Sequence, residues 1–253
     1  MATAVAQIVG YVVLSTVMEG VRRGGHGQRG GDTRRGGAQG DEDARWGFPA
    51  WRWAAGIGQR PGRHARHALY CTINLLVSAA VAGAVVQRGW DGLGALEGWT
   101  VLQWGARPEL GLRAAAKAAA AFAWQVAAEW PWHYGMHRVP GLYRAVHKLH
   151  HHNKAPVPFD DLFIHPLEAL GYYLLLYAPA MGVVGSMPAE AFAAYIAVMG
   201  VCGVLDHSGV RVVAPGGAYD SAEHAQHHAK FECNYGFPVA WGDHAAGTYR
   251  TPS

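Results

Sequence analysis

Two short segments repeat one spacing of histidines: His147-Lys148-Leu149-His150-His151 and His224-Ala225-Gln226-His227-His228, each His-x-x-His-His. A third pair, His133 and His137, lies just upstream of the first copy. Positions i, i+3 and i+4 of a helix share a face, so three imidazoles converge from each copy and two more from the pair. With 15 histidines in 253 residues, one such motif is expected by chance roughly 0.05 times per chain, and two copies far more rarely. Imidazole suits zinc, copper, iron and nickel alike, so ligand type alone does not select the metal. A structural zinc site closes with four ligands and usually draws on cysteine. Eight or nine histidines without a cysteine pair nearby point instead to two transition-metal ions in one site. Solvated His-rich loops or a surface zinc site are the bland alternatives. Haem is disfavoured, because it needs isolated axial histidines on facing helices.

The elements that must position these rings are apolar. The chain is 51% hydrophobic and 15% charged with a net charge of +3, and its charge is unevenly spread, which points to a membrane. Residues 2–18 are apolar and uncharged, barely long enough to span, with no basic residue ahead of them; they read as an uncleaved anchor. Residues 20–45 are rich in Gly and Arg and read as a disordered loop whose charge marks the cytoplasmic side. An RNA-binding role for this run is disfavoured, since it is short and tied to membrane segments. Residues 68–87 form the next span, with His64 and His67 interfacial before it. Residues 88–112 form a loop on the far side, and residues 114–132 an Ala-rich helix that returns. Two further apolar runs, 169–184 and 189–206, are joined at Gly185-Ser186-Met187-Pro188, each short for a full crossing. Two hairpins then deliver all the histidine groups to one membrane face. His207, beside Asp206 at a span end, joins them as an ionisable group at a membrane edge.

The fold class expected is all-α, an integral membrane bundle of four to five spans or half-spans in two hairpins, with a cytosolic histidine-rich di-metal cap. Residues 1–19 form the anchor, 20–50 the loop and 51–253 the membrane domain. The metal ligands expected are His133, His137, His147, His150, His151, His207, His224, His227 and His228. His152 falls just beyond the cluster. Glu168, Asp206 and Asp243 are candidates to accept the outer N–H of ligand rings, His165 to support or anchor its segment, and Asn234 to position the loop after the last motif.

Around these residues the chain resembles the fatty acid hydroxylase / sterol desaturase superfamily of membrane di-iron oxygenases. The resemblance rests on Trp132-His133-Tyr134, His137-Arg138, Leu142-Tyr143-Arg144, the first His-x-x-His-His, Ala155-Pro156 and His165-Pro166-Leu167-Glu168. It continues in His207-Ser208-Gly209, Tyr219-Asp220, the second His-x-x-His-His, Asn234-Tyr235-Gly236, Asp243 and Gly247-Thr248-Tyr249-Arg250. It covers about residues 115–250, nearest the sterol C4-methyl oxidase and C5-desaturase branches. The family's first motif, His-Arg-x-x-His, is altered: Arg138 is followed by Val139-Pro140-Gly141, so either His133 and His137 serve in its place or a ligand is lost and the protein is a weakened or silent metal-binding homologue. The resemblance implies two iron ions and O₂, a lipid substrate hydroxylated or desaturated at an unactivated C–H bond, and an external electron donor such as cytochrome b5 or a reductase. It also implies residence in the endoplasmic reticulum. Neither it nor the composition calls for nucleic acid.

Overall fold

The computed structural model describes residues 2–27, 61–90 and 94–252. Among these the secondary structure is helical, and β contacts are limited to isolated bridges. Helix α1 is Ala2–Gly27, α2 Pro61–Trp90, α3 Pro108–Arg138, α4 Pro140–Ala145, α5 Pro166–Tyr177, α6 Ala189–Asp206, α7 Ser221–Lys230 and α8 Trp241–Ala246.

Local chemistry explains the long elements. Helix α3 opens with Pro108 at its first position and Glu109 in its first turn, runs through an alanine-rich stretch of high helix propensity, and stops at Val139, which precedes Pro140. Helix α7 is capped by Asp220, whose side chain accepts a hydrogen bond from Ala222 N at 3.0 Å. It ends at Phe231 in the left-handed region, φ 65°.

The hairpins are visible in their ties. At one end, Asn74 of α2 donates to Leu162 O (2.9 Å) and Ile164 O (2.8 Å). His67 meets Asp160 Oδ1 at 2.8 Å. At the other end the two connections meet. Met187 N donates to Ala95 O and Glu97 N to Met187 O, both at 2.8 Å. Lys117 reaches Val184 O at 2.6 Å. Helix α2 therefore leads away and α3 returns, α5 leads away and α6 returns. The histidine segments follow the returning helices, forming a cap at one end. In cross-section α2 packs on α5, α3 on α6, and α1 on α2 and α6.

Three expectations need adjustment. Helix α1 continues past residue 19 to Gly27, so the first part of the Gly/Arg-rich run is helical; residues 28–60 lie outside the described residues. Arg22 is buried and paired with Glu19 at 2.7 Å rather than exposed to mark a side. Tyr11 donates to Pro158 O at 3.3 Å, which brings the middle of the N-terminal apolar run to the cap. Two helices among the described residues are both long and apolar enough to cross a bilayer, Ala65–Arg88 and Ala189–Asp206. Helix α5 has 12 residues and spans roughly 18 Å at 1.5 Å per residue, against about 30 Å of hydrocarbon. Pro179 stops it, and the chain continues as a 3-10 turn, Ala178–Met181.

The outer surface of the bundle is apolar in stripes. Val9, Val13, Val17 and Val21 recur every four residues on α1, and Leu167, Leu170 and Leu174 line α5. Leu69 and Leu76 are exposed on α2, Val198 and Val201 on α6. Contiguous exposed apolar faces of this kind belong against lipid, and the protein is membrane-associated.

Candidate metal centre

Nine histidines meet in the cap, in two groups. His133, His137, His147, His151 and His227 form one; His150, His207, His224 and His228 form the other. Within each group the ring nitrogens lie within 4.8 Å of one another. Eight of the nine are the histidines of the spaced motifs and the ninth is His207, but they do not converge motif by motif. Each His-x-x-His-His gives its i and i+4 rings to one group and its i+3 ring to the other. In α7 the reason is geometric: successive residues turn by about 100°, so His224 and His228 project together while His227 diverges. The first copy is not α-helical. It is a 3-10 segment, His147–His152, interrupted at His151 (φ −79°, ψ 18°), and it divides in the same way.

The rings are held from behind. Nδ1 of His133 lies 2.8 Å from Tyr235 O, that of His207 2.8 Å from Gly203 O, that of His227 2.8 Å from Cys233 O and that of His228 3.3 Å from Asn153 O. His147 Nδ1 lies 2.5 Å from Glu168 Oε1. Carbonyl and carboxylate oxygens only accept, so each of these Nδ1 atoms carries the hydrogen and each neutral ring presents a bare Nε2 lone pair. Yet the Nε2 atoms crowd together. His137 and His147 are 2.9 Å apart, His147 and His151 3.1 Å, His151 and His227 3.2 Å. In the second group the spacings run from 3.1 Å (His150–His228) to 3.4 Å (His150–His207).

A cation between the rings would satisfy the bare Nε2 atoms at such distances. An ion about 2.0–2.1 Å from each nitrogen would set neighbouring donors roughly 2.9–3.4 Å apart, from octahedral to tetrahedral. His133 Nε2 is buried without any partner, the state a bound cation would satisfy. Burial pushes the His150, His224, His227 and His228 rings well below the ordinary histidine range, with neighbouring histidines adding to the effect. Burial, then His147 and Arg138, lowers His137 to about 3. Neutral imidazole is the form that binds metal. The residues therefore fit a pair of metal ions. Five donors in the first group exceed the four of a closed zinc site.

The supporting residues divide. Glu168 backs His147, as expected of it. Asp206 does not touch a ring; it accepts from Tyr219 Oη at 2.7 Å. The acid beside His207 is instead Asp161, 3.5 Å from Nδ1. His165 caps α5, accepting from Leu167 N at 3.2 Å. Asp243 acts one step back. It accepts from Tyr235 N, Gly236 N and Thr248 Oγ1, and so fixes the loop whose Tyr235 carbonyl holds His133. Asn234 (φ 56°) donates to Gln226 Oε1 and Arg250 O and accepts from Arg250 N, tying α7 to the C-terminal segment. His152 is exposed, outside both groups. The altered first motif keeps the four-residue spacing of its histidines. His-Arg-x-x-His also places its histidines four apart, and both His133 and His137 belong to the five-ring group.

A cavity of about 70 Å³, room for several water-sized molecules, opens beside the rings. It is lined by five of the rings, His133, His147, His150, His207 and His224, by Trp132, Ile164, Tyr172 and Phe237, and by Glu129, Asp161 and Glu168. Spacing gave no signal for Glu129, Asp161 or the backing carbonyls. A carbonyl belongs to every residue, and the two acids come from segments without a motif.

A family model described as Fatty acid hydroxylase matches residues 118–248. The chain is 31% identical over 111 residues to a Delta(7)-sterol 5(6)-desaturase of Gibberella zeae, covering 44% of this chain and 31% of that protein. It is 30% identical over 126 residues to a Delta(7)-sterol 5(6)-desaturase of Leptosphaeria maculans, covering 48% and 33%. To cholesterol 25-hydroxylase of Homo sapiens it is 29% identical over 131 residues, covering 48% and 47%. The chain thus spans less than half the length of these relatives. No solved structure gives a significant match.

Proposed function

Because the chain belongs to the fatty acid hydroxylase family and is an oxidoreductase, we propose that it is a membrane-bound di-iron oxygenase acting on a lipid. It hydroxylates or desaturates an unactivated C–H bond of a sterol or fatty acyl chain, with O₂ as co-substrate. The observation that carries this reading is the division of nine rings, eight of them buried and His137 half-buried, into groups of five and four whose ring nitrogens crowd together.

His133, His137, His147, His151 and His227 would hold one iron, and His150, His207, His224 and His228 the other. Iron supplies the redox chemistry toward O₂ that a hydrocarbon C–H bond requires and that zinc does not. The chain supplies the rest. Glu168 and the four backing carbonyls fix the tautomer and the direction of their rings. Asp243 holds the Tyr235 loop, and through it His133. Trp132, Ile164 and Phe237 exclude water and present an apolar wall along which a lipid lies, close to five of the rings. Electrons come from an external donor such as cytochrome b5 or a reductase. Arg138, Arg144, Lys148 and Lys154 lie in the segments around the cap, which supports a cytosolic face for it, and the family resemblance points to the endoplasmic reticulum membrane.

The test uses the full chain in membranes, supplied with iron, a reductase system and a panel of sterols and fatty acids. The expected result is one lipid that gains an oxygen atom or loses two hydrogens, with the product absent for His227→Ala. Iron bound in full with every lipid unchanged would overturn the reading.

A further inference from the structure

Glu129 lies one helical turn before His133 on α3, is buried, and lines the same cavity as the rings. The oxygenase reading gives it no task. Its Oε2 accepts a hydrogen bond from Gln125 Nε2 at 2.9 Å. Gln125 Oε1 in turn accepts from Tyr195 Oη at 3.0 Å, and that hydroxyl also lies 3.0 Å from Leu176 O. Gln125 and Tyr195 are buried where α3 packs against α6.

Placing three polar side chains in an apolar bundle is costly unless they are satisfied. This file is satisfied at its inner end and open at its outer end. Among the described residues no donor reaches Glu129 Oε1, and the cavity lining contains no Lys or Arg to pair with it. The file holds one carboxyl of the cavity lining in a fixed position and leaves its second oxygen to a ligand. A hydroxyl both donates and accepts, so it complements that carboxyl in either protonation state.

We propose that Glu129, held by Gln125 and Tyr195, is a specificity-determining residue that binds a hydroxyl of the lipid substrate, so that oxidation falls on a carbon a few bonds from that hydroxyl. The second half follows from spacing. Glu129 precedes His133 by one helical turn, about 5–6 Å between Cβ atoms, and both line the same cavity, so the bound hydroxyl and the C–H bond to be oxidised belong to the same short stretch of the molecule. The position of oxidation rests on the oxygenase reading; the hydroxyl site does not.

Binding is read on the full chain in detergent, without turnover, from the fluorescence of Trp132 in the cavity wall, with Trp132→Phe as the blank. The probes are cholesterol against cholestene, its counterpart lacking the hydroxyl, and hexadecanol against hexadecane. Wild type is expected to favour the hydroxyl member of a pair by about tenfold, the scale of one buried hydrogen bond. Glu129→Gln, which keeps a donor and an acceptor, retains the preference; Glu129→Leu loses it, with iron content unchanged. If Glu129→Leu does not fold, Gln125→Leu serves, since it frees the carboxyl and lowers the preference. An equal preference in wild type and the leucine variants, or none in wild type, overturns the proposal. Turnover with an unmoved preference sinks the hydroxyl site alone. A moved preference without turnover sinks the oxygenase reading alone.

Discussion

Glu168 illustrates how the centre is built residue by residue. Its Oε1 takes the His147 Nδ1 proton at 2.5 Å, and so directs the His147 lone pair toward His137 and His151. Such partners typically govern metal affinity by about 10–100-fold. Glu168→Ala is therefore expected to weaken iron retention in the five-ring group by about that factor, measured by competition with a chelator; unchanged retention would deny Glu168 this role. The rings also set a pH dependence. His137 is lowered from 6.5 to about 3 by burial and then by His147 and Arg138, and burial also pushes His150, His224, His227 and His228 well below the ordinary range. As pH falls below about 6.5 the unfolded chain binds protons that the folded chain refuses, so stability falls with pH. For His137 that window runs from 6.5 down to about 3. The metal-free protein is expected to melt at a lower temperature at about pH 5 than at about pH 7.5; equal melting temperatures would contradict the buried neutral rings. Eight rings were legible from spacing, because histidine is rare enough for a repeat to stand out, and His207 from its place at the end of an apolar run. Their backing was not. Asp206, next to His207 in sequence, turns to Tyr219, and Asp161, distant in sequence, takes the place beside that ring.

Elements explain why three neighbouring histidines serve two groups. A regular helix separates i+3 from i+4 by about 100°, a feature that a shared-face reading blurs. The packing of α6 against the cap adds a close approach. Gly203 offers its carbonyl to His207, and a Cβ there would stand 2.9 Å from Asp161 Oδ1. Gly203→Ala is expected to displace Asp161 and lower iron affinity in the four-ring group by about tenfold, with the helix intact by circular dichroism. Gly171 plays a similar part on α5. A Cβ at that position would meet Trp132 Cη2 at 2.5 Å. Gly171→Leu is expected to destabilise the fold by about 1–3 kcal/mol, as overpacking does, and to reshape the cavity wall. The apolar runs behind α2 and α6 could be read directly from sequence. The early end of α5 at Tyr177 could not, because Pro179 breaks a run whose hydrophobicity continues.

On the scale of the whole molecule, two hairpins bring the ends of α3 and α6 together and leave apolar stripes outward. Leu76 is 60% exposed on α2, whereas Asn74 two residues earlier is fully buried and bonded to Leu162 O and Ile164 O. Hydropathy saw one apolar run here and could not tell its outward face from its inward one. Leu76→Arg places a charge on the lipid side, at about 2.5–3.5 kcal/mol if it lies near the bilayer centre. It is expected to reduce the fraction recovered in membranes, whereas Leu76→Ala is not. Equal recovery of the two would contradict a lipid-facing α2.

The central claim is that two iron ions are held by groups that cut across the two histidine motifs. The most direct measurement is iron and zinc per chain on the purified full-length protein, beside His151→Ala from the five-ring group and His228→Ala from the four-ring group. The prediction is about two irons per chain in wild type and a loss in each variant. A single zinc, or no metal, unchanged by either substitution, would contradict it.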